Sequence, residues 1–263
     1  MGIDYYASIN KKFYISIKTT LDAYGYVSLF DENGETLLLD IKSSYEIGGT
    51  RGAVSNDGKL FATAAYSHKG IDLRNINGNL IWNNKEIKKI QGLAFSSDNQ
   101  YLYVWNGDEP EHTYYVRISD GVVERRMVAS WIKPSLYSED LILSKEDTLI
   151  IDSKKIKSSS FCFLDVTTTK EGICVSPVGE ELIMYDYHGK LLWKSNFVKE
   201  NEGNYIIQLI SDESFFYGLS LNNTVYRINS LDGTSEVIKN NVKFIINNKN
   251  YIDTNDVFTK VNC

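Results

Sequence analysis

The sequence predicts an all-β fold, a β-propeller of four-stranded antiparallel blades. Three observations predict it: a recurring strand–turn–strand phrase, the spacing of its copies, and apolar residues that alternate at period two. The phrase reads VSLFDENGETLLL at 27–39, IDLRNINGNLIW at 71–82, YVRISDGVVER at 115–125, LIMYDYHGKLLW at 182–193 and VYRINSLDGTSEVI at 225–238. Its turns end in Gly34, Gly78, Gly121, Gly189 and Gly233, and a degenerate copy, TLIIDSKKI, places Lys154 and Lys155 at its turn. Successive turns stand about 44, 43, 33, 35 and 44 residues apart, close to the length of one four-stranded blade.

Each repeat resolves into four short strands. The first unit is IDYYASI, FYISIKT, GYVSLFD and ETLLLDI, starting at Ile3. The second is GAVSND, KLFATAAY, GIDLRNI and NLIWNN, with turns at Asn56-Asp57-Gly58, at Ser67 to Gly70 and at Asn77-Gly78. Asn-Gly and Asp-Gly suit tight hairpins because the turn needs positive φ. KEIKKIQGL at 85–93 is the best helical candidate, and its shortness makes it a loop or a single turn between blades. The fourth and fifth units are short, so one of them is expected to lack a full outer strand. Six units reach about Asn240, and the remainder holds three apolar strands near 242–246, 250–253 and 257–261. These make a seventh, incomplete blade that closes the ring; six blades with the tail laid over the closure is the alternative. A pair of sandwich domains fits the length but not the regular spacing. The expected organisation is one propeller domain over 1–263.

Composition agrees with a compact soluble chain: 43% hydrophobic and 13% aromatic residues, among them 18 tyrosines, suit half-buried and fully buried strands. No segment has the ~18 to 20 apolar residues of a membrane helix, and no signal segment precedes Ile3. A cytoplasmic location with no membrane partner is expected. Cys162, Cys174 and Cys263 are odd in number and not closely paired, which fits a reducing compartment. Asn222-Asn223-Thr224 matches the glycosylation pattern, which a cytosolic chain would not use.

The stretch SNDGKLFATAAYSHKGIDLRNINGNLIW is similar to a blade of WD-repeat and related bacterial propellers, and the resemblance extends over nearly the whole chain. It implies the fold only. The Trp-Asp dipeptide is absent, because Asn83 follows Trp82 and Lys194 follows Trp193, and no Gly-His pair opens each unit.

No pattern for catalysis emerges. His68, His112 and His188 fall in different blades without a second ligand at metal spacing and read as surface residues. There is no Gly-x-Ser-x-Gly elbow, and the turn acids lack the length of a calcium loop. Gly48-Gly49-Thr50-Arg51-Gly52 has neither the Lys-Ser/Thr ending nor the helix of a phosphate loop, and reads as a blade-to-blade connection. Cys162 and Cys174 sit among apolar strand residues and read as inert core fillers. The expectation is therefore a non-enzymatic protein with no cofactor and no metal.

What remains is a surface. Second-to-third-strand and blade-to-blade connections share one rim of a propeller, and here they carry Asp108, Glu109, Glu111, Glu146, Asp147, Glu180, Glu181, Glu200 and Glu202 against few bases, chiefly Lys145 and Lys199. With a net charge of -6 the chain disfavours direct nucleic-acid binding, and an acidic rim suits a basic protein partner. In fold type and charge the sequence resembles propeller-like immunity proteins of contact-dependent growth inhibition and related toxin systems. That resemblance implies neutralisation of a basic nuclease toxin, with Tyr114, Trp131, Tyr137, Tyr185 and Tyr187 as candidate anchors. A scaffold subunit of a larger assembly, or an enzyme using the axial funnel, are the competing classes.

Overall fold

The protein is described by a computed structural model at residues 2–20, 24–46, 50–66, 70–107, 110–135, 142–145, 148–151, 154–157, 163–200, 204–212 and 214–260. It divides into two compact units, Met1–Pro134 and Ser135–Cys263.

The first unit opens with the sheet β1 (Ile3–Ala7), β2 (Phe13–Thr19), β3 (Tyr24–Asp31) and β4 (Thr36–Glu46). The second sheet is β5 (Thr50–Val54), β6 (Leu60–Ala65), β7 (Ile71–Asn75) and β8 (Leu80–Asn84), and the third is β9 (Ile90–Phe95), β10 (Tyr101–Asn106), β11 (His112–Arg117) and β12 (Val123–Val128). The fourth sheet runs β13 (Trp131–Lys133), β14 (Ile142–Lys145), β15 (Thr148–Ile151) and β16 (Lys154–Lys157). In the second unit follow β17 (Phe163–Thr168), β18 (Ile173–Pro177), β19 (Ile183–Tyr185) and β20 (Leu191–Lys194), then the single turn of helix α1 (Phe197–Glu200). The sixth sheet is β21 (Ile206–Ser211), β22 (Phe215–Ser220), β23 (Val225–Asn229) and β24 (Ser235–Lys239); the seventh has three strands, β25 (Val242–Ile245), β26 (Asn250–Asp253) and β27 (Phe258–Lys260). Strands adjacent in sequence are adjacent in every sheet, as a meander requires.

Strands such as β6 and β18 are buried at successive residues, which point to opposite faces, so these sheets have two covered faces and packing is sheet against sheet. One core joins Ile15, Ile17, Val27 and Leu29 of the first sheet to Val54 and Phe61 of the second. A second joins Ala62, Ala64, Ile71 and Leu73 to Leu93, Phe95, Leu102 and Val116 of the third. In the other unit Cys174 and Met184 meet Leu209, Phe216 and Ile228, and Leu219 and Val225 meet Ile245 and Tyr251. Each fully buried large side chain contributes roughly 1.5–3 kcal/mol.

At Gly78, Gly121 and Gly233 the glycine that ends the repeated turn has a second role besides its φ. The indole N–H of Trp82 on β8 donates to the Ile118 carbonyl at 2.7 Å, across to the hairpin of the next sheet. Gly121 of that hairpin has φ +74, and a Cβ there would lie 2.8 Å from the Trp82 ring. The same arrangement recurs one unit later: Trp193 donates to the Ser230 carbonyl at 2.8 Å, and a Cβ on Gly233 (φ +76) would meet its ring at 2.8 Å. In the first sheet Ile41 takes the position of the ring over Gly78. The Gly-x-x-x-Trp spacing thus supplies both halves of a latch between neighbouring sheets.

Polar turns lace the sheets of the first unit. Ser8, Ser55 and Ser96 each donate to an Asx two residues on, Asn10, Asp57 and Asp98, at 2.7, 2.7 and 2.5 Å. Asn10 Nδ2 then donates to the Asn56 carbonyl at 2.6 Å, and the Asn56 N–H donates to Asn99 Oδ1 at 3.0 Å. Three successive turns are thereby tied together.

Several expectations need correction. Lys154 and Lys155 are not turn residues: they belong to β16 and pair with Ile151 and Ile150 of β15, while residues 152–153 lie outside the described residues. The fourth and fifth sheets both keep a fourth strand, shortened to four residues. KEIKKIQGL is a loop only as far as Lys89; Ile90 begins β9, because Ile87 and Ile90 are both buried in the core. Of the glycine run, Gly48 and Gly49 lie outside the described residues, and Thr50–Gly52 belong to strand β5, where a Cβ on Gly52 would lie 2.6 Å from Ile15 Cδ1.

The latch predicts a graded stability series under urea. Gly179 has φ +68 with nothing within 4 Å of a Cβ, so Gly179→Ala is expected to cost about 1–2 kcal/mol, the left-handed penalty alone. Gly233→Ala bears the same penalty and must also displace the Trp193 ring, so its urea midpoint should fall further. Trp193→Phe keeps a ring but leaves the Ser230 carbonyl without its donor, at a cost of about 1 kcal/mol.

Candidate partner-binding surface

The predicted acidic loops are the connections β10–β11, β14–β15, β18–β19 and β20–β21, the first three second-to-third-strand hairpins and the last a sheet-to-sheet connection. Asp108, Glu109, Glu146, Asp147 and Glu202 lie outside the described residues. Glu111 is half-buried just before β11, Glu180 is half-buried in the β18–β19 turn, and Glu200 is the last residue of α1.

Glu181 does not belong to such a surface. It is only 7% exposed, and its Oε2 accepts the backbone N–H of Val198 at 2.8 Å and the hydroxyl of Ser195 at 3.3 Å. The Ser195 hydroxyl in turn accepts from the Phe197 N–H at 3.2 Å. These two side chains satisfy N–H groups that open α1, as caps do. A sequence reading sees two adjacent glutamates in VGEEL; the second is buried because α1 lies beside it and offers N–H groups to its carboxylate.

His112 is likewise not a surface residue. It is buried on β11, its N–H donates to Asn106 Oδ1 at 3.1 Å, and its Nδ1 accepts from Arg126 Nη2 at 3.1 Å. His188 occupies the β19–β20 turn with its N–H on Asp186, and His68 lies outside the described residues. Cys174 is fully buried, and burial first, then the nearby Asp165 charge, raises its thiol pKa far above the ordinary range. It is inert, as expected of a core filler; Cys162 and Cys263 lie outside the described residues. Among the candidate anchors, Tyr114 packs on the core, Trp131 is half-buried on β13, Tyr185 ends β19, and Tyr187 donates its hydroxyl to the Thr169 carbonyl at 2.6 Å. Tyr137 lies outside the described residues.

Acids missed by the reading of the rim occupy the opposite connections. Asp31 and Asp186 each accept two backbone N–H bonds inside a third-to-fourth-strand hairpin, and Asp253 does the same in the β26–β27 hairpin of the three-stranded last sheet. Asp57 and Asp98 close first-to-second-strand turns; burial works to raise their pKa values, but bonds from Ser55 and Lys59, and from Ser96 and Gln100, outweigh it and leave both lowered. Asp212 is lowered in the same way by Ser214, Phe215, Tyr217 and Asn248. These carboxylates hold turns. For Asp57 and Asp98 the repeated Ser-x-Asp followed by Gly or Asn is the signal by which they could be recognised.

Two further polar sites were not legible. Asp72, 1% exposed, is held by Arg74 Nη2 at 3.1 Å, by Asn83 Nδ2 at 2.6 Å and by the Ser44 hydroxyl of the neighbouring sheet. A buried carboxylate of this kind needs its whole set of donors. First strands are also coupled through side chains: Arg51 Nε donates to the Gln91 carbonyl at 2.8 Å, Asp165 accepts the Leu209 N–H at 2.8 Å, and Gln208 both accepts from and donates to Ile245 at 2.9 Å. Burial, reinforced by Asp4 and opposed by Arg51, pushes the Tyr6 pKa up to about 12.

Among the described residues no three His, Cys, Asp or Glu side chains are placed to hold a metal ion, and no helix is long and apolar enough to cross a membrane.

No family model matches the chain, and no curated protein matches it either. Among solved structures, the β-propeller domain of Cps50 (Swd1) from Myceliophteria thermophila resembles it with a TM-score of 0.71 at 11% identity, over 99% of this chain and 96% of that one. The likeness shows the fold: a seven-bladed, WD-repeat-like β-propeller with four-stranded antiparallel blades and three strands in the last. Since 1194 solved chains match, the fold by itself does not single out a partner.

Two measurements check the assignments of the acids. Glu181→Ala removes a cap and should cost about 1–2 kcal/mol of stability, whereas Glu180→Ala, half-buried in its turn and capping no helix, should lower the urea midpoint less. Asp57, Asp98 and Asp212 have folded pKa values below the ordinary one. Their stabilisation is therefore complete above the unfolded value of about 3.9 and is lost as pH falls through the lower folded values. The urea midpoint should hold down to about pH 4 and drop below it, less steeply in Asp212→Asn.

Proposed function

We propose that this chain is a non-catalytic protein-binding propeller whose second-to-third-strand and blade-to-blade connections take a basic protein, and that it serves as an immunity protein against a basic nuclease toxin. The observation that carries the reading is the concentration of acids in those connections. Asp108, Glu109, Glu111, Glu146, Asp147, Glu180, Glu200 and Glu202 fall in three second-to-third-strand hairpins and one sheet-to-sheet connection, with Lys145 and Lys199 as the chief bases beside them. In a propeller such connections share one end of the molecule, so the charges would act together on an approaching cation. Glu181 is left out because its carboxylate caps α1. Acids gathered at one end suit competition with nucleic acid for a basic cleft, since both present negative charge to the same groups. Propeller folds commonly serve as interaction platforms, which supports a protein partner in general terms.

The test is co-purification with the product of the neighbouring reading frame, followed by association kinetics at several salt concentrations. A cognate toxin should bind with an association rate that falls steeply with salt, and Glu111→Lys combined with Glu180→Lys should slow association at low salt about tenfold. Glu181→Gln should leave association unchanged. Absence of a toxin-like neighbour together with stable recovery of several housekeeping proteins would replace the immunity reading with that of an assembly scaffold.

A further inference from the structure

The chain has six arginines, Arg51, Arg74, Arg117, Arg125, Arg126 and Arg227, and three of them are matched by a carboxylate within their own sheet. Arg74 pairs with Asp72 at 3.1 Å, Arg117 with Asp120 at 2.6 Å and Glu124 at 2.5 Å, and Arg227 with Glu236. Arg51 bonds the Gln91 carbonyl. Arg125 and Arg126 differ. Both are exposed on β12, and neither has a carboxylate partner among the described residues. Glu124, the acid nearest in sequence, is already engaged by Arg117 and by the Tyr101 hydroxyl at 2.8 Å.

The two guanidiniums are nevertheless positioned. Arg125 lies 5.4 Å over the Tyr115 ring, and Arg126 lies 5.7 Å over the Tyr114 ring with Nη2 on His112 Nδ1. In β12 these residues stand opposite Tyr115 and Tyr114 in an unbroken ladder from Arg125 to Val128, and the register shift that isolates Glu124 ends it. β12 is the terminal strand of its sheet, and among the described residues no strand pairs with its other edge. Val128 beside the pair is 47% exposed.

We propose that the outer edge of β12 is a docking site for an extended segment of an acidic protein, added to the sheet as a further strand and carrying two consecutive carboxylates. The alternation of a strand decides this. Adjacent residues Arg125 and Arg126 point to opposite faces of the sheet, so a polyanion lying on one face reaches only one of them. A strand added in register alternates in the same way, and two consecutive acids on it would stand beside both arginines, one on each face. The tyrosines hold each guanidinium in place, which lowers the ordering cost of the contact. This surface adjoins the β10–β11 connection through the Arg126–His112 contact, but it takes a partner of opposite charge to the one proposed for the acidic connections.

The test uses the full chain and fluorescent eight-residue peptides of alternating Val and Thr. One peptide carries Glu-Glu at its centre; a second carries the two glutamates two positions apart, on one face; a third is the first with its central amides N-methylated. The Glu-Glu peptide should bind, and the other two should bind at least tenfold more weakly. Arg125→Gln and Arg126→Gln should each weaken it about tenfold, with the thermal midpoint confirming that both variants fold. Equal binding of all three peptides, or tight binding of heparin with no preference for the strand peptide, would overturn the proposal in favour of a polyanion contact. No binding of the Glu-Glu peptide would reduce the arginines to guards of an exposed edge.

Discussion

A four-stranded meander with apolar side chains on both faces cannot be stable alone, and the rest of this structure follows from that constraint. Neighbouring sheets must bury each other's faces, as Val27 and Leu29 do against Phe61, and as Cys174 and Met184 do against Phe216. Hydrophobic burial supplies the driving force but has no direction. Register between sheets comes from directional contacts laid over it: the indole bonds from Trp82 and Trp193 to the next hairpin, and the turn-to-turn bonds through Asn10, Asn56 and Asn99. Glycine is required at Gly121 and Gly233 for φ and for the space beneath a ring at once.

The charges of the molecule divide by what they do. Carboxylates such as Asp31, Asp57, Asp186 and Asp253 accept backbone N–H groups and hold hairpins, and Asp72 sits buried in a complete set of donors. Their negative charge is a by-product of turn geometry. Recognition has to be sought in charged groups that the fold does not engage, and the outer strand of the third sheet carries two of these, Arg125 and Arg126, held over tyrosine rings.

Strand order, the four-stranded repeat and the three-stranded last sheet were legible because a hairpin is a local object: its turn residues and its alternation lie within about a dozen positions of one another. Legibility failed where a residue's role depends on something distant. Glu181 reads as a turn acid until α1 is placed beside it, and His112 reads as a surface histidine until Arg126 comes alongside across the ladder. Lys154 and Lys155 were misplaced because TLIIDSKKI has no glycine to mark where its first strand ends.

The amino-acid sequence determined by itself the class of fold, the number of sheets and the position of nearly every hairpin, since apolar alternation and positive-φ residues specify these locally. Only the tertiary structure decided which acids hold turns and which arginines lack a partner, because a hydrogen bond such as Asp165 to Leu209 joins residues that have no relation along the chain. Packing between sheets, not spacing within them, brings such groups together.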